Sequence, residues 1–316
     1  LKHRLDLPVP EGFVVTTAAQ QLFFEHNRLR ERIDHRLAGL NGDDPADLDA
    51  VAGEIGQWIL KADLPEVLRD GMDAAYAALA GDATEVALRS SAVGEDAVGG
   101  SASASFAGQY LSLLNVTESE LEAGYRRILA SKYTPAAMAY RLRQGLSDAE
   151  TPMAVLVLKM VAAASSGVLY TNATDGEDPD RMSVHSVWGL GELLVSGQTP
   201  ADLFRVSRTP PHDVLERHAV EKREQMVRGD KGGTAVAPLS ADRAGAVSIT
   251  DDQVNRLARW AMVIENHFGL PQDIEWAVIN EGTKSALYFL QCRPLKSGKK
   301  TGKAKLPEIE RSDDLI

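Results

Sequence analysis

Two apolar runs near the C-terminal end of the chain flank a polar segment and carry the residues best suited to chemistry. The runs cover 274–279 and 286–292, and the segment between them, 280–285, contains Gly282. Apolar runs separated by a short polar stretch with glycine are typical of two antiparallel strands joined by a turn. The sequence therefore predicts a β-hairpin here.

Four polar side chains are expected to meet on one face of this hairpin. Because side chains alternate along a strand, Asp273 and Glu275 share a face, as do Gln291 and Arg293 on the second strand. Burying such charges is costly unless they are paired or hold a metal. Carboxylate and amide oxygens suit Mg²⁺ shared with substrate phosphates, and arginine matches phosphate oxygens. The alternative is an ordinary hairpin with one solvent-exposed face.

Composition limits the kinds of partner the chain can have. With 316 residues, 44% of them hydrophobic and 25% charged, the sequence is typical of a globular protein with about two domains or subdomains. The net charge of −11 argues against a general nucleic-acid binder, which needs clustered Lys and Arg.

Cysteine usage and hydropathy give an expectation about location. Cys292 is the sole cysteine, which excludes an intramolecular disulfide framework and a multi-cysteine zinc site, and it is expected to face the core. No stretch approaches the roughly 20 apolar residues that span a bilayer, and residues 1–10 lack the apolar core of a signal peptide. We expect a cytoplasmic protein with no membrane partner.

Hydrophobic periodicity divides the chain into four segments. Residues 1–84 read as the helical part of a first subdomain, and 85–200 as a strand-rich part that contains a long run of small residues. Residues 201–295 are expected to form a C-terminal subdomain with a helix and the hairpin. The last segment, 296–316, has the composition of a linker or tail.

Two features of the C-terminal subdomain are predicted in detail. Thr250 is placed to cap a helix whose apolar face runs from Val254 to Phe268. The charged stretch 212–233 reads as a loop-like insertion, in which His212 and His218 lack ligand-like spacing and are expected to be solvated.

A long run of small residues follows the apolar segment 85–91. Residues 92–109 are mostly Gly, Ala and Ser, so they cannot build a core. Glycine and serine let backbone N–H groups approach an anion closely, which favours a loop that covers phosphates. A flexible linker is the alternative explanation.

Several motifs occur in the order found in one protein family. They are VPEGFVVTT at 9–17, ALRSSAVGED at 87–96, SFAGQYLSLLNV at 105–116, SGVLYT at 166–171, WGLGELLVSGQTPADLF at 188–204, and PQDIEWA with LQCRP in the hairpin. Together they resemble the N-terminal, nucleotide-binding domain of phosphoenolpyruvate synthase and pyruvate phosphate dikinase. The resemblance implies an α+β ATP-grasp fold, in which two subdomains with antiparallel sheets clamp ATP and Mg²⁺. It further implies a phosphotransferase with paired acceptors, which passes the γ- or β-phosphoryl group of ATP to a histidine on a separate swivelling domain.

The resemblance assigns roles to residues at the phosphate end. Arg89 of the RSSA motif and Arg293 of the LQCRP motif correspond to catalytic, phosphate-binding arginines. Asp273, Glu275 and Gln291 correspond to the Mg²⁺ ligands. Phosphoryl transfer needs mainly positioning and neutralisation of charge, which these residues and the metal would supply.

Ser105, Gly108 and Gln109 of the SFAGQ motif resemble the family's lid over the phosphates. Here the sequence departs from the family, because the loop between Glu95 and Ser105 carries an extra Gly-Gly-Ser-Ala-Ser-Ala.

The resemblance also implies that the segment 85–200 contains the phosphate-covering loop and the nucleotide cleft, and it places the base of the nucleotide there. Adenine is expected to hydrogen-bond to the backbone of Lys159, Met160 and Val161, next to Leu158, where the family commonly has Gln. Glu192 of the GLGE motif is expected to line the site, and a helix-capping role for it is the alternative.

Two family elements are not found in this sequence. The family's GGK segment, whose Lys contacts the phosphates, would precede Val9, and Lys2 is too close to the turn that follows it to replace that lysine. The phosphohistidine domain and the pyruvate-type acceptor domain are also missing. We therefore expect ATP binding and at most the first half-reaction on a partner domain. The alternatives are a nucleotide-binding or regulatory module without turnover, and the ATP domain of an enzyme resembling rifamycin phosphotransferases; glucan dikinases share the domain type.

Overall fold

The computed structural model describes residues 1–42, 44–80, 85–93, 110–172, 179–281 and 284–295. The helices of this part of the chain are α1 Lys2–Leu5, α2 Thr17–His26, α3 Leu29–Ala38, α4 Pro45–Lys61, α5 Glu66–Ala80, α6 Leu121–Ser131, α7 Pro135–Arg143, α8 Glu192–Val195, α9 Ala241–Ala244 and α10 Asp251–Phe268. The strands are β1 Gly12–Val15, β2 Val86–Ala92, β3 Ser112–Val116, β4 Met153–Lys159, β5 Ser165–Tyr170, β6 Arg181–Trp188, β7 Asp202–Ser207, β8 Val214–His218, β9 Glu224–Arg228, β10 Thr234–Pro238, β11 Gln272–Glu281 and β12 Lys284–Pro294. Every named strand pairing is antiparallel, as predicted for an α+β fold.

The first lobe consists of helices α2–α7 and a four-stranded sheet of order β1-β4-β2-β3. The apolar positions at helical spacing turn towards one core, where Phe23, Ile55 and Tyr125 are almost fully buried. From Met153 to Val157, buried and partly exposed side chains alternate along β4, so the partly exposed face can line a cleft.

The second lobe consists of α1, α8–α10, the β9–β10 hairpin and a six-stranded sheet of order β12-β11-β5-β6-β7-β8. One face of this sheet packs on α10, with Ile274, Trp276 and Phe204 fully buried. The chain's first residues also contribute to this core, because Leu7 packs into it and Pro8 accepts a hydrogen bond from the N–H of Phe289. The face away from α10 carries the polar side chains of the predicted hairpin.

Helix α10 begins where the sequence predicted. Thr250 Oγ1 accepts from the N–H of Gln253, and Gln253 accepts from the N–H of Thr250, which forms a capping box. Gly269 ends the helix in the left-handed conformation, with φ 69°. The buried face stops at Ile264, and Phe268 is 47% exposed, so the predicted apolar stripe is one turn too long.

The stretch 212–233 is not the loop predicted from its charge. It contains β8 and β9, and β9 pairs with β10 as a separate two-stranded hairpin. His212 is only 6% exposed, and its Nδ1 lies 3.1 Å from the carbonyl of Ser207. Charged residues on an edge strand resemble those of a loop in sequence, which explains the error.

The segment 85–200 contributes strands to the sheets of both lobes. The boundaries proposed at residues 84 and 200 remain a prediction.

Cys292 is half-buried and packs against the second core. Within the described ranges, every helix is too short or too polar to cross a bilayer.

Candidate functional site

The β11–β12 hairpin brings its four predicted polar residues together. Asp273 lies opposite Arg293 in the register, and Glu275 lies opposite Gln291, immediately before a β-bulge. Both Nε and Nη2 of Arg293 lie 2.8 Å from Oδ2 of Asp273. Strand alternation and the register therefore produce the polar face that the sequence predicted.

Arg89 reaches this face from the other lobe. It lies on β2, and its Nη2 is 2.6 Å from Oε2 of Glu275 and 2.5 Å from Oε1 of Gln291. Its Nη1 donates a longer bond, 3.4 Å, to the carbonyl of Leu290. The guanidinium thus crosses the cleft between the two sheets and ends on the hairpin.

The chemistry of these donors fits a magnesium ion that is shared with phosphates. In the part of the chain that the structure describes, no three His, Cys, Asp or Glu side chains converge closely enough to hold a metal. The hairpin instead offers Asp273, Glu275 and the amide of Gln291, and Oε1 of Glu275 has no hydrogen-bond partner among the described residues. Magnesium is commonly held by one or two carboxylates, with phosphates and water as its other ligands.

Arg89 and a metal ion would compete for the same carboxylate. Arg89 Nη2 already contacts Oε2 of Glu275, and both side chains are about one-fifth exposed. A cation bound at Glu275 would repel the guanidinium, which is then free to turn to an anion in the cleft. The arrangement can therefore exchange an ion pair within the protein for a metal–phosphate pair.

A narrow cavity extends from Arg89 to residues 159–161, the segment predicted to bind adenine and called the adenine segment below. It measures about 70 Å³ and is lined by Arg89, Lys159, Met160 and Val161 together with residues of the second lobe such as Gly191. Arg89 and the adenine segment therefore line one cleft.

Backbone hydrogen bonds decide which of the three adenine-segment residues has a free donor. The N–H of Lys159 donates to Glu11, at 2.8 Å, and that of Met160 to Glu85, at 3.0 Å. The N–H of Val161 has no acceptor among the described residues. Of the three, Val161 is therefore the residue best placed to donate to a base.

Glu192 begins the short helix α8, and its Oε2 is buried without a partner among the described residues. It lines a neighbouring cavity of about 260 Å³, which shares Leu114 with the cleft. No side-chain cap bond is formed at the start of α8, so the geometry gives no support to the capping alternative.

Ser105, Gly108 and Gln109 lie outside the described residues, as does the loop that carries the extra Gly and Ser residues. Lys2 forms an ion pair with Glu11.

Sequence reasoning missed Tyr170, which lies beside the hairpin. Tyr170 pairs in register with Asp273, and burial, followed by the negative charge of Asp273, raises the pKa of its phenol. The hydroxyl therefore stays protonated and can donate a hydrogen bond towards the polar face. Strand alternation in the SGVLYT motif places Tyr170 on the same face as Val168, and this alternation is the sequence feature that could have identified Tyr170.

Comparison with known proteins gives consistent matches along the chain. The family profile described as pyruvate phosphate dikinase, AMP/ATP-binding domain, matches residues 1–314. A probable phosphoenolpyruvate synthase of Methanocaldococcus jannaschii is 36% identical over 96% of this chain, and the phosphoenolpyruvate synthase of Deinococcus radiodurans is 35% identical over 92%. The rifampicin phosphotransferase of Bacillus subtilis is 32% identical over 92%. The chain spans 26%, 37% and 32% of the lengths of these three relatives.

Proposed function

Because the chain belongs to the family of the pyruvate phosphate dikinase AMP/ATP-binding domain, we propose that it is the ATP- and Mg²⁺-binding part of a phosphoenolpyruvate synthase-like phosphotransferase. It would use ATP to phosphorylate a histidine on a separate swivelling domain, which then delivers the phosphoryl group to a pyruvate-type acceptor. The observation that carries this proposal is the crossing of Arg89 from the first lobe to Glu275 and Gln291 of the second.

The charges at the crossing support a phosphate site. Two arginines and two carboxylates neutralise one another when the cleft is closed on itself. A divalent cation would pair with the carboxylates, and the phosphates of a nucleotide would pair with the arginines. Each charged side chain would then keep a partner of opposite charge when a nucleotide enters.

Each residue would have a separate task. Arg89 would turn from Glu275 to a phosphate oxygen, and Arg293 would remain oriented by Asp273. The oxygens of Asp273, Glu275 and Gln291 would hold Mg²⁺, which when bound supplies neutralisation of the phosphate charge. The backbone of Val161 would fix the base at the other end of the cleft.

In the proposed phosphoryl transfer, the residues of this chain would position the reactants and would form no covalent bond themselves. A P–O bond of ATP breaks and a P–N bond to the imidazole of the partner domain forms. The rest of the nucleotide leaves with the electron pair of the broken bond, and the imidazole proton passes to solvent or to the departing phosphate. The two arginines would stabilise the charge that spreads over the phosphoryl oxygens. The final acceptor is set by domains outside this chain.

Calorimetric titration with MgATP tests the binding step. We expect the wild-type chain to bind, and Glu275→Gln to weaken binding at least about tenfold, because a charge-assisted contact worth roughly 1.5–3 kcal/mol is lost. Glu216→Gln is the matched control, since Glu216 forms a 2.6 Å pair with Arg181 on the same sheet, outside the cleft. Equal affinity of both variants and wild type would contradict the site assignment.

A second experiment separates a phosphotransferase from a binding module. The chain is mixed with radiolabelled ATP and the isolated phosphohistidine domain of a phosphoenolpyruvate synthase, and acid-labile phosphohistidine is measured. We expect label on the histidine domain that depends on Arg89. ATP binding without transfer to a folded partner would favour a regulatory module, and transfer only to the corresponding domain of a rifampicin phosphotransferase would favour that class of enzyme.

A further inference from the structure

The β9–β10 hairpin is fixed to the second lobe at its base. Lys222, two residues before β9, is 1% exposed, and its Nζ lies 2.5 Å from Oδ1 of Asp202, which is fully buried. Oδ2 of Asp202 accepts from the N–H and the hydroxyl of Ser248, both at 2.8 Å. In the middle of β9, Met226 accepts from the N–H of Leu190 at 2.9 Å. The base of the hairpin is therefore attached to the second lobe and is expected to move with it.

The tip of the same hairpin is bonded to the first lobe. Asn115 on β3 is 2% exposed, and its Nδ2 donates to the carbonyl of Gly229 at 2.9 Å. The backbone carbonyl of Asn115 accepts from the N–H of Gly233, also at 2.9 Å. Arg228 adds an ion pair with Glu85, 3.3 Å apart and partly exposed. Two hydrogen bonds of the buried Asn115 and a partly exposed ion pair thus hold the hairpin across the two lobes.

The bridge lies at the base end of the cleft. A cavity of about 410 Å³ beside the hairpin is lined by Ala162, Ala163 and Leu190, and the last two also line the cleft that contains Val161. Asn115 lines this cavity as well, and its Oδ1 is buried without a partner among the described residues. The phosphate-end residues of the hairpin β11–β12 do not line this cavity, so the bridge lies beside the base end of the cleft.

We propose that Asn115 is a positioning residue that holds the β9–β10 hairpin closed over the base end of the nucleotide cleft, and that opening of this bridge sets the rate at which the nucleotide leaves. The inference rests on the proposed ATP site. Arg228 has an auxiliary part, since its partly exposed ion pair contributes less than the hydrogen bonds of the buried Asn115.

The backbone of Asn115 makes a clean test possible. Its φ of 55° lies in the left-handed region, which glycine adopts without strain. Asn115→Gly therefore removes the bond to Gly229 and keeps the backbone conformation. Arg228→Gln is a second, exposed variant, and Arg223→Gln is its matched control, because Arg223 is 83% exposed and pairs with Glu221 inside the same segment.

The experiment measures the dissociation rate of a fluorescent ATP analogue by stopped flow, and the affinity of magnesium tripolyphosphate, which has no base. Loss of about one hydrogen bond predicts dissociation up to tenfold faster for Asn115→Gly, with a smaller increase for Arg228→Gln. Arg223→Gln is expected to match the wild type. Tripolyphosphate affinity is expected to stay within twofold in all three variants, because the phosphate end is untouched.

The outcomes distinguish the inference from the function on which it rests. Unchanged dissociation in Asn115→Gly overturns the bridge while leaving the ATP site intact. Equal weakening of ATP and tripolyphosphate, accompanied by a lower melting temperature, shows general loosening and also overturns it. A wild-type chain that binds neither ATP nor tripolyphosphate refutes the proposed function itself.

Discussion

Arg89 and Lys132 are both cations that contact a carboxylate, and burial gives them different properties. The Arg89 side chain is 18% exposed and faces a cleft, so its pair with Glu275 can be exchanged for a ligand. Lys132 is 1% exposed, and its Nζ lies 2.9 Å from Oδ1 of Asp148. Arg141 and Arg30 also approach this carboxylate, at 3.8 and 3.6 Å. One buried carboxylate therefore serves three cations in the first lobe.

Lys132 should make the stability of the protein depend on pH. Burial lowers the pKa of Lys132 to about 8, against the attraction of Asp148. Since its unfolded pKa is higher, the unfolded chain binds more protons from about pH 8 upward, and the free energy of unfolding should rise with pH in that range. Above pH 10 the buried Tyr125 and Tyr133, whose pKa values are raised by burial, act in the opposite direction.

Urea unfolding between pH 7.5 and 9.5 measures this effect. We expect the free energy of unfolding of the wild type to increase over the range, and Lys132→Met to remove most of the increase. Lys61→Met, at the end of α4 on the surface, is the control that should keep the wild-type slope. A wild-type stability that is flat or falls from pH 8 to 9.5 would contradict the prediction.

The hairpin β11–β12 depends on one close approach to its neighbouring strand. Gly167 on β5 pairs with Trp276 on β11, and Trp276 is fully buried. A Cβ at Gly167 would lie 1.9 Å from the carbonyl oxygen of His185 and 2.4 Å from Cζ2 of Trp276. The strand β11, which carries Glu275, therefore packs against Gly167 at a position where only glycine fits.

Gly167→Ala tests this seating. We expect destabilisation of about 2 kcal/mol or more, because a backbone oxygen and a rigid ring must both shift to admit a methyl group. Gly53→Ala in α4 has no atom within 4 Å of the added Cβ and should stabilise the protein by about 0.5–1 kcal/mol through helix propensity. Denaturant midpoints of the two variants are compared with wild type, and a shift of the same sign in both would refute the packing argument.

At the scale of the whole molecule, the two lobes have separate cores and share one cleft. The first lobe contributes Arg89 to one side of the cleft, and the second lobe contributes the hairpin β11–β12 to the other. The cleft measures about 70 Å³, far below the several hundred Å³ typical of ligand pockets. Because residues of both lobes line this cleft, we expect an entering nucleotide to widen it and to contact both lobes.

Hydrogen exchange monitored by mass spectrometry checks this expectation. Saturating MgATP should slow amide exchange in β2 and β4 of the first lobe and in β11 and β12 of the second at the same ligand concentration. At 100 times the dissociation constant, binding should add about 2.7 kcal/mol to the free energy of unfolding. Amides of the outer helix α3 that exchange by local opening serve as the internal reference, because global stabilisation does not change their exchange. Protection confined to one lobe would argue against a site formed by both.

Local sequence determined the hairpin and its polar face. A strand's alternation depends only on neighbouring residues, so Asp273 and Glu275 had to share a face once the strand formed, and the short connection fixed their partners Gln291 and Arg293. The capping box of α10 is equally local, because Thr250 and Gln253 are three residues apart.

The tertiary structure alone decided which distant residues meet. Arg89 is separated by 186 residues from Glu275, and only the packing of two sheets across a cleft brings them together. His212 was expected to be solvated and Lys222 lies in the stretch predicted as a loop, yet both are buried and bonded, as is Asn115. The physical reason is that burial depends on what the rest of the chain places over a residue, whereas alternation and capping depend only on its immediate neighbours.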